Sequence, residues 1–313
     1  MDGNDSLDVP KAADGPTMVS GATPYDWAQA LRVHHWSKNL LMFVPLVLAH
    51  RVTDWALFSQ TSMAFALLLV VTSASYLIND LTDLEADRLH PSKRNRPVAR
   101  GVLRFDQVVT VVAIVIPSAM ILAFVVNTGF GLVLTAYLVV TLAYSFWLKR
   151  VPLLDVFVIG ALFTARVVMG AVFVGPPLPV WLLAFAMFFF FSLAVAKRHA
   201  MLVAARDGEE TSFALRGYRI GDLPLTLSIG VSAGFVSMLI LVLYLVDEAF
   251  RRVGYSRPDF LWAVVAMVAI WVGRIWLLAH RGGLNDDPVS FALRDRWSQA
   301  IAAIILLLFL VAL

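Results

Sequence analysis

The sequence contains no cysteine. That excludes disulfides, thiolate nucleophiles, iron–sulfur clusters and cysteine-ligated zinc. Charge is also scarce. Of the 313 residues only 15% are Asp, Glu, Lys or Arg, 60% are hydrophobic, and mean hydropathy is +0.79. A soluble domain of this length needs far more polar surface, so the composition implies a polytopic, all-α membrane protein. Neither a P-loop nor a Gly-x-Gly-x-x-Gly turn is present, so no soluble nucleotide fold and no nucleic-acid partner is expected. His34, His35, His90 and His199 show no metal-ligand spacing. The opening "MDGNDSLDVPKAADGPTMVSGATPYD", residues 1–26, is polar without an apolar core. It reads as a disordered tail rather than a signal peptide, leaving 27–313 as a single transmembrane catalytic domain.

Long apolar runs are what the chain has instead. A helix needs about 20 apolar residues to cross a bilayer. Nine candidates follow: Ser37–Phe58, Ser62–Leu81, Val108–Val126, Gly129–Leu148, Val156–Val174, Val180–Ala196, Leu225–Val246, Phe260–Ala279 and Ser298–Leu313. The first is interrupted near its far end by Arg51 and Asp54. Asn127–Gly129 and the Gly-Pro-Pro-Leu-Pro stretch at 175–179 are turn signals between spans. With this span set, 19 of the 25 Lys and Arg residues fall on one side and four on the other, with Arg166 and Arg274 inside spans. By the positive-inside rule the richer side is cytoplasmic, and it includes the N-terminus. The expected arrangement is a membrane crossed many times, with the long polar loops, and so whatever the protein does, at the cytoplasmic face.

The densest polar stretch lies on that face. "NDLTDLEADRLHPSKRNRP", from Asn79 to Pro97, continues the second candidate span. On a helix advancing about 100° per residue, Asp80, Asp83 and Asp87 fall within about 60° of one another, and Glu85 points away. Three carboxylates on one stripe repel unless a cation sits among them. Hard oxygen ligands favour Mg²⁺, which takes phosphate oxygens and water as its remaining ligands. The alternative is a solvated helix end paired with Arg88 and Lys93. Arg88, Lys93, Arg94 and Arg96 follow at once and can neutralise phosphate oxygens, or anionic lipid headgroups.

This stretch resembles the Asn-Asp-x-x-Asp-x-x-x-Asp motif of the UbiA superfamily of intramembrane prenyltransferases. The resemblance implies a nine-helix bundle in which Asn79, Asp80, Asp83 and Asp87 hold Mg²⁺ and a diphosphate at a cytoplasm-facing cavity. Most of the superfamily has a second Asp-rich motif at the end of span six. Here that place reads Lys197-Arg198-His199. Together with "LRVHHWSKNLLMFVPL", "AYSFWLKRVPLLDVFVIG" and "GGLNDDP", this is similar to the decaprenyl-phosphate phosphoribosyltransferase branch. Its Lys-Arg-Tyr-x-Glu-Leu pattern reads Lys197-Arg198-His199-Ala200-Met201-Leu202 in this chain, without the Glu and with His for Tyr.

The branch implies transfer of 5-phosphoribose from phosphoribosyl diphosphate (PRPP) to a polyprenyl phosphate such as decaprenyl phosphate. Pyrophosphate is released, and the product is a lipid-linked arabinofuranose precursor for cell-envelope glycans. The chemistry agrees with the residues. A prenyl diphosphate and PRPP both lose a diphosphate to leave a carbocation, and Mg²⁺ stabilises the departing charge in either case. PRPP and the acceptor bring two further phosphates, which need cations such as Lys93, Arg94, Lys197 and Arg198. Lys38 sits where a lipid phosphate would lie, and Tyr144 and Lys149 match a UbiA motif beside the active site. Arg166 is costly within the fifth span unless it faces a polar partner, either a substrate phosphate or a carboxylate such as Asp155. Asp155 can orient another side chain or cap its helix. Tyr218 and Asp222 are placed to help close the site, and Arg274 can snorkel to the interface.

Two other readings compete. An aromatic prenyltransferase needs a second acidic site, for which only Asp207, Glu209 and Glu210 are at hand. A cation-coupled transporter would hold its charges near the midplane, whereas these lie at one rim. A homo-oligomer is left open by the sequence.

Overall fold

The computed structural model describes residues 22–89, 93–175, 180–208, 216–250, 255–284 and 287–313, and every regular element among them is helical. Residues 1–21 of the expected tail, His90, the turn at 176–179, Glu209 and Glu210 lie outside the described residues. The tail reading fails at its last few positions. Helix α1 (Pro24–Ala30) is opened by a capping box: the Thr23 hydroxyl accepts the Asp26 N–H (3.3 Å), and the Asp26 carboxylate accepts the Thr23 N–H (3.0 Å). Proline at the first helical position suits this start. Arg100 donates to Asp26 at 3.0 Å and ties α1 to the chain beyond the acidic stretch.

After α1 the chain passes through Arg32, in the left-handed region at φ +52°, into a 3₁₀ segment, Val33–Phe43, and a short α2, Val44–Leu48. It then forms α3 (Trp55–Thr82), α4 (Leu84–Leu89), α5 (Phe105–Val126), α6 (Thr128–Phe146), α7 (Leu154–Val174) and α8 (Val180–Arg206). Helices α9 (Leu223–Tyr244), α10 (Leu261–His280), α11 (Pro288–Arg294) and α12 (Arg296–Ala312) complete it. Among the described residues, seven helices (α3 and α5–α10) are long and apolar enough to cross a membrane. The pair α11–α12, bent by 85°, gives an eighth.

Nine continuous helices are not found among the described residues. The first candidate span is instead the 3₁₀ segment with α2, ended at Ala49 well short of Phe58. Because a 3₁₀ helix rises about 2.0 Å per residue, this segment covers roughly 22 Å before α2 adds roughly 8 Å. It runs the length of the bundle. Arg32 at its start bonds to Asp80 near the end of α3, and Arg51 beyond it donates to the Val174 carbonyl at the opposite end of α7 (3.4 Å).

The segment is seated by small residues and polar bonds. A Cβ on Gly170 of α7 would lie 1.8 Å from the Met42 carbonyl oxygen, so only glycine admits this approach. Trp36 donates to Ser73 (3.0 Å) and Asn39 to Thr72 (3.3 Å), both on α3. Arg166 of α7 completes the clasp: it donates to Asn39 (2.8 Å), the Leu162 carbonyl (2.7 Å) and the Tyr137 hydroxyl of α6 (2.9 Å). Its guanidinium also lies over the Tyr137 and Phe163 rings. These partners are neutral, so the alternative open to Arg166, a carboxylate partner such as Asp155, is not realised.

One apolar core, including Met42, Leu68, Phe130 and Met169, joins this segment to α3, α5, α6 and α7; a second joins α7 to α8, α9 and α10. In the second, Ser192 of α8 donates to the Gly230 carbonyl of α9 (2.7 Å) and accepts from Trp276 of α10 (3.0 Å). Arg274 is paired: its two terminal nitrogens fork onto Asp295, the N-cap of α12, at 2.7 and 2.9 Å.

Candidate active site

The acidic stretch spans a junction rather than a single helix, since α3 ends at Thr82 and α4 starts at Leu84. The helical bonding nevertheless carries over: Asp83 N–H bonds to the Asn79 carbonyl (3.0 Å) and Asp87 N–H to the Asp83 carbonyl (2.8 Å). The carboxylates therefore keep neighbouring positions, and Glu85 is exposed. Asp80 and Asp87 are each only 3% exposed. Burial of two like charges is tolerated because cations meet them. Arg32 donates to Asp80 Oδ1 at 2.6 Å. One nitrogen of Arg96, Nη1, bonds to both Asp80 Oδ1 (3.1 Å) and Asp87 Oδ2 (2.5 Å). Lys149, just past α6 and buried, reaches Asp83 Oδ1 (2.6 Å) and Asn79 Oδ1 (3.4 Å), and Asn79 donates to Asp83 Oδ2 (3.3 Å).

Among the described residues no three acidic or imidazole side chains converge as a metal cluster. The donor set still fits a hard divalent cation. A single positive nitrogen already bridges two carboxylates on one face, with the amide oxygen of Asn79 and the carboxylate of Asp83 alongside, and all are oxygen donors of the kind Mg²⁺ takes.

Of the basic residues after the motif, Lys93 is half-buried, and Asp87 and Asp83 are among the charges that act on it. Burial is the leading influence and holds its ammonium below the ordinary lysine value. Arg88 is exposed and donates to the Ala99 carbonyl (3.3 Å), and Arg94 is exposed.

The other half of the site lies at the end of α8, which runs ten residues beyond the expected span end and carries Lys197 and Arg198 within the helix. The two basic side chains part company. Arg198 is buried and donates to Asp155 Oδ2 (2.7 Å), with the Tyr144 hydroxyl at 3.5 Å and Met201 Sδ at 3.1 Å. Asp155 is completely buried and also accepts from the Tyr218 hydroxyl (2.7 Å). It therefore orients Arg198 and Tyr218 and does not cap α7, whose N-cap is Leu153.

Tyr218 in turn accepts the Leu153 N–H (2.8 Å), where Leu153 is held at φ +67°. Burial, then the bond to Asp155, raises the Tyr218 phenol above its ordinary value. Arg216, at φ +49°, donates to Tyr144 (2.7 Å). Non-glycine residues in the left-handed region are costly, and Arg32, Leu153 and Arg216 all lie at this rim.

Lys197 behaves differently. Its side chain is 41% exposed and lies 3.9 Å from Asp287 Oδ2, while Lys38 lies 3.3 Å from Asp287 Oδ1. Asp287, the N-cap of α11, is thus clasped by two lysines. Burial alone would raise its pKa, but Lys38 and Lys197 outweigh that and hold the carboxylate below its ordinary range. Elsewhere at the end of α8, Asp207 is half-exposed and paired with its neighbour Arg206 (2.8 Å). His199 bonds to Thr226 (3.0 Å) and His280 (3.2 Å) between helices. Arg166 lies eleven residues, roughly 16 Å of helix, below Asp155, away from the rim where phosphates would sit.

Residues 40–298 match the UbiA prenyltransferase family. The chain belongs to that family. It is 43% identical over 288 residues to the uncharacterised protein y4nM of Sinorhizobium fredii, covering 92% of this chain and spanning only 56% of that longer one. It is 33% identical over 273 residues to nodulation protein NoeC of Azorhizobium caulinodans, covering 86% of this chain and 87% of that one. To a decaprenyl-phosphate phosphoribosyltransferase of Mycobacterium tuberculosis it is 31% identical over 280 residues, covering 88% and 89%. Its fold is that of a UbiA homologue from Archaeoglobus fulgidus bound to GPP and Mg²⁺ (TM-score 0.67, 14% identity, 92% of this chain and 98% of that one). This UbiA-family protein is accordingly an all-α, multi-pass membrane protein of a transferase family with divalent-metal-bound members.

Arg32, Arg216 and Asp287 were not singled out as site residues from the sequence. Arg96 was named only as a phosphate-neutralising base, not as the partner of Asp80 and Asp87. Arg32 and Asp287 lie in stretches that were quoted, but the pairing that gives each its place joins distant elements.

Proposed function

We propose that this UbiA-family protein transfers 5-phosphoribose from PRPP to a polyprenyl phosphate, releasing pyrophosphate, at the cytoplasmic face of a bacterial inner membrane. The observation that carries the reading is the second cationic locus. Lys38 and Lys197 converge on Asp287 at 3.3 and 3.9 Å, apart from the carboxylates of α3 and α4. A prenyl diphosphate brings one anionic group and needs one such locus. PRPP and a lipid phosphate bring two anionic groups besides the diphosphate, and a phosphate can take the place that Asp287 occupies between the lysines. The end of α8, where the aromatic prenyltransferase reading needs acids, presents bases to the rim.

Asp80, Asp83 and Asp87, with Asn79, would hold Mg²⁺; its chemistry there is to neutralise charge on the departing diphosphate. Arg96 and Lys93, beside the same carboxylates, are placed to pair with diphosphate oxygens. Lys149 and Arg32 hold Asp83 and Asp80 in position. Arg198, Asp155, Tyr218 and Tyr144 form the buried frame behind Lys197. An acceptor phosphate oxygen attacks C1 of the ribose as the C1–O bond to the diphosphate breaks. The bonding pair leaves with the diphosphate, and a new C1–O–P linkage forms. No proton need move in this step.

Purified protein with Mg²⁺, radiolabelled PRPP and decaprenyl phosphate tests this directly. Label should move into the lipid phase, and both EDTA and Asp83→Asn should abolish the transfer. Absence of transfer, with turnover of a prenyl diphosphate onto an aromatic acceptor, would overturn the reading.

A further inference from the structure

The 3₁₀ segment places two polar residues in one file. Side chains three apart eclipse in a 3₁₀ helix, so His35 and Lys38 share a face, while Trp36 and Asn39 share the face turned to α3. Arg32, held in the left-handed region, stands at the head of the segment as its N-cap. Arg32 reaches the acidic locus through Asp80 (2.6 Å), and Lys38 reaches the lysine locus through Asp287 (3.3 Å). His35 stands between them. Its ring lies 6.0 Å from that of Tyr76, one turn before Asp80 on α3, and Arg32 stacks over the same Tyr76 ring at 4.5 Å.

His35 Nδ1 is buried and has no hydrogen-bond partner among the described residues. Buried polar atoms are almost always paired, and an unpaired one in a polar setting marks a place where a ligand completes the bonding. The charged groups acting on the ring are Lys38, His34, Arg32 and Asp287. Three of the four are basic, and together with burial they disfavour a further positive charge on the imidazole. A neutral ring nitrogen flanked by cationic side chains is suited to a hydroxyl, which both donates and accepts and so satisfies either tautomer.

We infer that His35 reads a hydroxyl of the diphosphate substrate through Nδ1, between the cations that hold its phosphates, and so selects a sugar diphosphate over a prenyl diphosphate. This rests on the proposed phosphoribosyl transfer and names a residue that sets its specificity. A prenyl chain has no group for Nδ1 and would leave it buried and unpaired. Sites built to bond a hydroxyl discriminate strongly against analogues that lack it.

Calorimetric titration in Mg²⁺ with PRPP, inorganic pyrophosphate and geranyl diphosphate, on wild type, His35→Phe and His35→Gln, tests the inference. Replacement by Phe keeps ring volume and should weaken PRPP about tenfold, the weight of roughly one hydrogen bond, while pyrophosphate changes less than about twofold. Replacement by Gln, whose amide both donates and accepts, should restore most of the PRPP affinity. Equal losses for PRPP and pyrophosphate would make His35 a phosphate or packing residue and overturn the inference, as would PRPP binding indifferent to His35→Phe. Wild-type protein that binds geranyl diphosphate and not PRPP would overturn the proposed reaction as well.

Discussion

At the end of α3 the carboxylates belong to the helix and its continuation, and the cations arrive from elsewhere: Arg32 before the 3₁₀ segment, Arg96 beyond α4, Lys149 after α6. At the end of α8 the bases belong to the helix, and the carboxylates arrive from elsewhere: Asp155 of α7 and Asp287 ahead of α11. The close of α6 joins the two arrangements, with Tyr144 against Arg198 and Lys149 against Asp83. The sign of the charge is inverted between the ends, but the rule of pairing is kept. They differ in depth. Arg198 and Asp155 are 5% and 0% exposed at the side chain, whereas Arg32 and Arg96 are 18% and 27% exposed. One pair is a fixed frame. The other can trade its partners for water or a ligand.

That contrast can be broken by substitution. Asp155→Ala strands a buried guanidinium, and removing one partner of a buried pair costs about 3–5 kcal/mol. Denaturant unfolding in detergent should show that loss, and the double variant with Arg198→Met should recover most of it. Recovery failing would mean that Tyr218 and Leu153, not Arg198, depend on Asp155. Asp80→Asn should cost less, about 1–3 kcal/mol, because Arg32 and Arg96 can turn to solvent and the amide keeps one acceptor. Equal losses in the two variants would erase the distinction between frame and exchangeable pair.

The smallest effect is expected from acid. The Thr23 hydroxyl and backbone N–H, with Arg100, hold the Asp26 carboxylate below its ordinary value. A depressed carboxylate contributes stability above its unfolded value, about pH 4, and loses that contribution as pH falls through the lower folded value. Fluorescence of Trp27 should stay constant from neutrality to about pH 4 and change below it, and Asp26→Asn should remove the transition.

The sequence carried the apolar elements well, because hydropathy alone specifies a run long enough to cross lipid. Helices α5, α6, α7 and α10 lie within a few residues of the expected spans. The helical spacing of its acidic repeat agrees with Asp80 and Asp87 meeting one Arg96 nitrogen, while Asp83 pairs with Lys149 instead. What the sequence could not carry was the kind of helix between Val33 and Phe43, because an apolar run does not distinguish 3₁₀ from α. The α1 cap, Thr-Pro-Tyr-Asp, went unread because it lies in a polar stretch whose composition pointed to a tail. Arg32 and Asp80 are 48 residues apart and Arg166 and Asn39 are 127 apart, so their meeting is a property of tertiary packing. Arg166 misled for a further reason. A charge within a span suggests a charged partner, and here an amide, a carbonyl and a phenol satisfy it.

The glycine that lets Met42 approach α7 has a consequence for assembly in the membrane. Residues 33–48 precede α3 and α7, yet their seat is made of Ser73 and Thr72 on α3 and Gly170 and Arg166 on α7. A 3₁₀ segment bearing Asn39, Lys38 and His35 has little to hold it in lipid by itself. The stretch should therefore wait near the membrane surface and slide home only after α3 and α7 have entered, so that it is seated later than helices that follow it in the chain.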